Sequence, residues 1–207
     1  MYNPPHFAET RREALTAAIT RHPLATLITV GSSGITANHI PLLYREPGLL
    51  CGHMARGNPQ WKDFREDFDA LAIFSGPEAY ISPNWYPSKE EHGKVVPTWN
   101  YVVVHAHGKL IVHYDVDWLR RNVTALTEIN EARTSSEPWK VTDAPEEYIA
   151  GMLKAIVGVE LQITRLEGKW KVSQNRPPAD REAVAESLRI DGNDSMADLV
   201  IDQSNIP

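Results

Sequence analysis

Residues 80–101, YISPNWYPSKEEHGKVVPTWNY, set Tyr80, Trp85, Tyr86, Trp99 and Tyr101 on either side of a loop rich in lysine and glutamate. Aromatic walls beside a polar lid suit a flat, largely apolar ligand with a polar edge, which needs apolar sides and a few well-placed donors. The same rings would also pack a dimer interface, where Trp, Tyr and Arg are enriched. From residue types alone the interface reading is the stronger of the two.

Phosphate chemistry has two candidate segments. In GHMARGNPQW, 52–61, Arg56 offers a bidentate fork, His53 and Asn58 add donors, and the helix expected to follow adds the partial positive charge of its N-terminus. Read without other context, Asn58 is a helix cap and Arg56 a solvated turn residue. In KWKVSQNR, 169–176, strand alternation points Lys169, Lys171 and Ser173 one way and Trp170, Val172 and Gln174 the other, a pattern that an exposed strand face also produces. Glycine-rich phosphate cradles and the nucleophile elbow are absent, so any phosphate must be held by side chains.

His105 and His107 share a strand face, and His113 falls on the next arm of an expected hairpin, so three imidazoles would face one another across a sheet. No carboxylate is interleaved at ligand spacing, and no metal is expected. Cys51 reads as a small core residue, since no neighbouring motif activates it. Trp61, Trp118 and Trp139 read as core or interface packing.

The elements that must position these residues follow from period and punctuation. Thr10 and Glu13 have capping-box spacing before a helix carrying Leu15, Ala18, Ile19 and His22, which Pro23 ends. LATLITV from 24 and ITANHIPLLY to 44 form a hairpin about GSSG, LLCGHM at 49–54 is a third strand, and Asn58-Pro59 opens a short helix through Trp61 and Phe64. ALAIFSGPEAYIS supplies a strand pair or one bent strand, and TWNYVVVHAHGKLIVHY a long hairpin turning near Gly108. Asp117 opens a helix, a second helix covers about 146–155, and IVGVELQITRL with KWKVSQN makes a last hairpin about Glu167-Gly168. Asp180 caps a helix over 181–189, and 190–207 is an acidic, loosely held tail. Eight or so strands with peripheral helices indicate a mainly β, α+β fold, a closed or nearly closed barrel in one domain over 1–189.

Composition limits the function. The 27 acidic against 21 basic residues give a net charge of -6, a repulsive background for direct DNA binding. One cysteine allows no intramolecular disulfide, and no run approaches the roughly 20 apolar residues of a membrane span. A cytoplasmic protein without membrane attachment is expected.

Seven blocks carry a resemblance: MYNPPHF at the start, NHIPLL at 38–43, GHMARGNPQW at 52–61, GPEAYISPNWY at 76–86, VPTWNYVVVHAHG at 96–108, IVGVELQITRLEGKWKVSQNR at 156–176, and DREAV near the end. In that order, over residues 1 to about 189, they make the chain similar to the PaiB family of FMN-binding negative transcriptional regulators. The resemblance implies a split β-barrel of the pyridoxamine phosphate oxidase-like kind, a homodimer with flavin sites between subunits, and repression of genes for degradative enzymes and sporulation. No helix-turn-helix signature accompanies it. On this reading YISPNWY and PTWNY, with Trp85 and Trp99, wall the isoalloxazine, and the 87–96 lid brings Lys89 nearest. Arg56, His53 and Asn58 hold the phosphate, while Lys169, Ser173 and Gln174 complete the site from the partner subunit. A flavin-dependent oxidoreductase acting on a small molecule, or a haem-binding split barrel with a histidine ligand, are the alternative functions.

Overall fold

The computed structural model describes residues 1–202. Among these, the chain forms β1 (Ala8–Glu9), α1 (Arg12–Arg21), β2 (Leu24–Gly31), β3 (Gly34–Pro41), β4 (Leu43–Arg45), β5 (Leu49–Ala55), β6 (Ala70–Ile81), α2 (Ser88–His92), β7 (Thr98–His113), α3 (Val116–Thr134), α4 (Glu146–Lys154), β8 (Ile156–Lys171), α5 (Pro178–Ile190) and α6 (Asp194–Ile201). The strands hydrogen-bond in the order β3-β2-β6-β7-β8-β5-β4, with β1 also on β8. The α+β architecture is the expected one. The chain divides into two compact units: Met1–His22, Phe74–His105 and the chain from Leu166 on make the first, Pro23–Ile73 and Ala106–Arg165 the second.

In the second unit β2 and β3 form a hairpin in register from Leu24↔Pro41 to Gly31↔Gly34. Its turn is held by the Asp63 carboxylate, which accepts from Ser32 N at 2.6 Å and Ser33 N at 3.2 Å. Those backbone and hydroxyl donors hold the Asp63 carboxyl down to a pKa of about 2. β3 and β4, the two ends of the strand path, are separated by Leu42 alone. A Cβ on Gly52 of β5, the neighbour of β4, would lie 2.7 Å from the Pro41 carbonyl oxygen, so the end of β3 approaches β5 at a residue without a side chain. No ladder joins them among the described residues, and the expected closure is therefore a split. Leu119, Val141, Ile149 and Leu153 bury one face of α3 and α4 together. Gly158 leaves space for the Trp118 ring, which would stand 2.3 Å from a Cβ there.

In the first unit α1 buries Ala14, Leu15, Ala18 and Ile19, while α5 and α6 bury Val184, Leu188, Met196 and Val200. The segment read as a loosely held acidic tail is in fact α6 up to Ile201, capped by Asn193, whose Oδ1 accepts from Met196 N. Its spacing of Met196, Ala197, Leu199 and Val200 is a helical stripe, and each large apolar side chain buried there is worth roughly 1.5–3 kcal/mol. Residues 203–207 lie outside the described residues.

Both expected late hairpins are single strands. β7 runs 16 residues, burying Asn100, Val102, Val104, Ala106 and Leu110 without losing parity at Gly108. Glycine is needed there for close approach rather than for a turn: a Cβ would lie 2.1 Å from the Gln162 carbonyl oxygen. β8 also runs 16 residues, burying Val157, Val159 and Leu161 and then Gly168 and Trp170. That change of buried face, with the glycine, is what imitates a turn in the sequence; Gly168 instead faces the Leu15 side chain of α1. β6 makes a comparable switch from Ala70, Ala72 and Phe74 to Ala79 and Ile81 across Gly76-Pro77, the bent strand of the two options.

Four local expectations change. Thr10 does not cap α1; the Glu9 carboxylate accepts from Arg11 N at 2.7 Å instead. Asp115, not Asp117, caps α3, and Asp180 lies within the first turn of α5 rather than capping it. The helix expected after Asn58 is a single 3-10 turn, Pro59–Trp61.

Candidate functional site

The outward face of β7 in the first unit carries Trp99, Tyr101, Val103 and His105, alternating with the buried positions. It forms part of a cleft of about 550 Å³ whose lining includes Tyr2, Gly76, Glu78, Tyr101, Val103 and Lys169. Gly76 packs closely against β7, where a Cβ would meet the Val102 side chain at 3.0 Å. Lys169 is only 8% exposed, yet it pairs with no carboxylate among the described residues. Its ammonium donates to the Tyr2 carbonyl oxygen at 3.1 Å and lies 5.4, 5.6 and 6.0 Å from the Tyr101, Tyr2 and Phe7 ring centres. A buried cation held only by rings and one carbonyl keeps its charge available to a ligand's polar edge.

The other expected residues of this unit divide. Trp99 is half-exposed and meets Tyr80 edge-on with centroids 6.0 Å apart. Trp85 ends a 3-10 turn, Pro83–Trp85, capped by Ser82. Lys89 lies on α2 within the lid, and its ammonium donates to Asn84 Oδ1 at 2.9 Å. Ser173, buried in a left-handed conformation at φ 63°, accepts from Asn100 Nδ2 at 2.9 Å. Gln174 ties its own turn, Nε2 donating to Trp170 O at 2.5 Å and Oε1 accepting from Val172 N at 2.8 Å. Tyr86, read as a wall, is instead buried to 2% exposure beneath the Arg176 guanidinium.

In the second unit the phosphate candidates follow β5. Arg56 donates through Nε to Lys154 O at 2.9 Å and through Nη2 to Ile156 O at 3.1 Å, so much of its fork ties down the end of α4. Asn58 Oδ1 accepts from Gln60 N at 3.0 Å, the capping role that its position suggested. His53 Nδ1 is buried without a hydrogen-bond partner, and burial lowers the His53 pKa, so near neutrality it offers a polar atom rather than a charge. Sequence reading missed Gln60, which positions this segment: Nε2 donates to Leu27 O and Thr29 Oγ1, and Oε1 accepts from Asn38 Nδ2. A glutamine just inside a capped turn is ordinary surface sequence, so only its burial reveals the role.

The three-histidine arrangement does not form as expected. His113 follows His107 by six residues on one extended strand, about 20 Å at the strand rise. It stacks on Trp118 at 4.2 Å and approaches Glu160 at 3.3 Å. Burial pushes the Cys51 thiol up to about 11, as suits an unreactive core cysteine.

The arrangement fits a flavin in kind: a cleft of suitable size walled in part by the Tyr2 and Tyr101 rings, with a buried cation in no ion pair, and elsewhere a buried imidazole nitrogen lacking a partner. Comparison with known proteins agrees. Residues 1–165 match the family described as "Putative FMN-binding domain". The chain is 33% identical over 209 residues, 98% of both chains, to Protease synthase and sporulation protein PAI 2 of Bacillus subtilis. It is 33% identical over 234 residues, 93% of each, to a protein of Emericella nidulans. Among solved structures, the FAD and heme binding protein of Mycobacterium smegmatis shares the fold at a TM-score of 0.57, with 18% identity over 86% of this chain and 79% of that one. A conserved protein of Mycobacterium tuberculosis does so at 0.60, with 12% identity over 86% and 94%.

Proposed function

Because this chain belongs to the FMN-binding domain family, we propose that it is a PaiB-like flavoprotein that holds FMN against the β7 face and serves as a flavin-dependent or redox-sensing regulator. The observation that carries the reading is the family match over residues 1–165. Two of the residues fall in the cleft, Tyr101 supplying a ring and Lys169 a cation toward the polar edge. Trp99, Trp85 and Lys89 lie outside its lining, and the reading takes them as ring and lid contacts that close on the bound flavin. Ser173 and Gln174 shape the end of β8, and His53, Arg56 and Asn58 are the phosphate contacts. FMN, when bound, supplies electron or hydride transfer; the chain's own residues bind it, orient it and exclude water.

The proposal includes a homodimer, in which a second copy covers the exposed Trp99 and Tyr80 rings and brings its own phosphate residues to the site. Regulation is supported by the identity to a protein whose name links it to protease synthesis and sporulation. A net charge of -6 sets a repulsive background, so direct DNA contact would need a local basic patch, and action through a partner or effector is the route this reading favours. No helix is long and apolar enough to cross a membrane, and a lone buried thiol suits the cytoplasm. Residues 1–189 act as one FMN-binding domain in this reading.

The test is the absorption spectrum of protein purified without added cofactor, followed by titration with FMN while its fluorescence is recorded. A flavin spectrum or saturable quenching is expected. Colourless protein with no quenching removes the proposal, and a Soret band reassigns the cleft to haem.

A further inference from the structure

Beside the end of β8, in the first unit, lies a separate pocket of about 110 Å³, about the volume of four water molecules in the liquid. Lys171, Arg176, Asn100, Ser173, Tyr86 and Thr98 line it, and the exposed Val96, Pro97 and Asn175 form its mouth. Two of these residues are cations, and none carries a carboxylate. Lys171 donates to Thr98 Oγ1 and, at 2.7 Å, to Trp99 O, which leaves its third N–H unassigned. The Arg176 guanidinium lies 4.6 Å from the Tyr86 ring centre and forms no ion pair among the described residues. Asp180, whose charge acts on Tyr86, has its two oxygens engaged by Ser88 N at 3.1 Å and Ser88 Oγ at 2.8 Å.

Two buried polar atoms here are short of partners: Asn100 Oδ1, which makes no hydrogen bond, and the Tyr86 hydroxyl, which makes no close one and has the Arg176 guanidinium as a polar neighbour, on side chains 1% and 2% exposed. Such atoms are costly unless something meets them. The Asn100 amide gives the sign of what is missing. Turned the other way, its oxygen accepts from the Ser173 hydroxyl and its NH₂ faces the pocket, so that an acceptor placed there satisfies the whole pair. Lys171, Arg176 and Asn100 then present N–H donors, and the Tyr86 hydroxyl, accepting from Arg176, has its own O–H to donate.

We propose that this pocket binds a tetrahedral oxyanion, a phosphate group either free or at the end of a small molecule, gripped by Lys171 and Arg176 with Tyr86 and Asn100 donating. Its volume admits the phosphate and not a nucleotide, and its open mouth lets a phosphate ester project outward. The site does not rest on the flavin reading, because its residues are none of the proposed ring or phosphate contacts except Ser173.

The experiment uses the full chain in phosphate-free buffer, titrated with inorganic phosphate against chloride at matched ionic strength. Thermal midpoint and phosphorus NMR linewidth are the readouts. Phosphate-specific stabilisation is expected, with affinity at least tenfold weaker in Lys171→Met and in Arg176→Gln. Tyr86→Phe, which keeps the packing, should show a smaller loss and keeps the test open if a charge variant fails to fold. The ratio of FMN to riboflavin affinity in Arg176→Gln identifies the source: an unchanged ratio means a free phosphate or another ester, and a lower ratio means the flavin's own phosphate. Absence of a phosphate-specific effect, or an effect that all three variants retain, overturns the proposal. Phosphate binding by a chain that takes up no flavin would defeat the proposed function and leave this site standing.

Discussion

The Lys169 ammonium lies 5.4 Å from the centre of the Tyr101 ring, nearly buried and in no ion pair among the described residues. A cation kept over rings is stabilised by their negative faces by about 0.5–2 kcal/mol. The same charge is available to the polar edge of a flat ligand. Lys169→Met retains the apolar stem and removes the charge, so the fold should persist while FMN affinity falls roughly 10-fold or more, the worth of one charge-assisted hydrogen bond of about 1.5 kcal/mol. Fluorescence titration decides it; equal affinities would move the ring elsewhere.

Arg56 joins two roles. Its bonds to Lys154 O and Ile156 O secure the chain between α4 and β8, and its remaining donors are the proposed phosphate contact. Arg56→Ala should cost about 1–3 kcal/mol in urea denaturation, as loss of charge-assisted hydrogen bonds does. It should also weaken FMN more than riboflavin. Equal loss for both ligands assigns Arg56 to structure alone.

His53 predicts a pH effect of definite sign. Burial lowers its folded pKa, so the unfolded chain takes up the proton at a higher pH than the folded chain does. The stabilisation of neutral His53 is complete above about pH 6.5 and is lost as pH falls through the lowered folded value. His53→Gln should flatten that part of the curve when denaturation midpoints are compared between about pH 7.5 and about pH 5. An unchanged slope would show that another group sets it.

Gly108→Ala tests whether β7 is one strand. The added methyl would meet Gln162 and Ile163 backbone atoms, which cannot move without breaking their own ladder. A loss of about 3 kcal/mol or more is expected in thermal or urea unfolding. A turn residue at the tip of a hairpin would tolerate the same change with far less cost.

Gln60→Leu keeps volume and removes the buried bonds to Leu27 O, Thr29 Oγ1 and Asn38. Several polar groups lose their partner at once, so about 2–4 kcal/mol should be lost in denaturation. Stability within about 0.5 kcal/mol of the parent would show that the site segment is held by other contacts.

The sequence by itself determined the strand character of 24–31, 34–41 and 49–55, the helices at 12–21 and 146–154, and the α+β class, because two-residue and 3.6-residue periods record which side of each element is buried. It also carried the family, through blocks whose order the structure does not alter. Only tertiary structure decided that Gly108 and Gly168 are places of close approach rather than turns, since a missing side chain looks the same in either role. Tertiary structure likewise decided that Lys169 is buried among rings while Lys171 and Arg176 share a small pocket with Asn100 and Tyr86. Burial and the lack of a partner are properties of what surrounds a charge in space, and neighbours distant in sequence supply those surroundings.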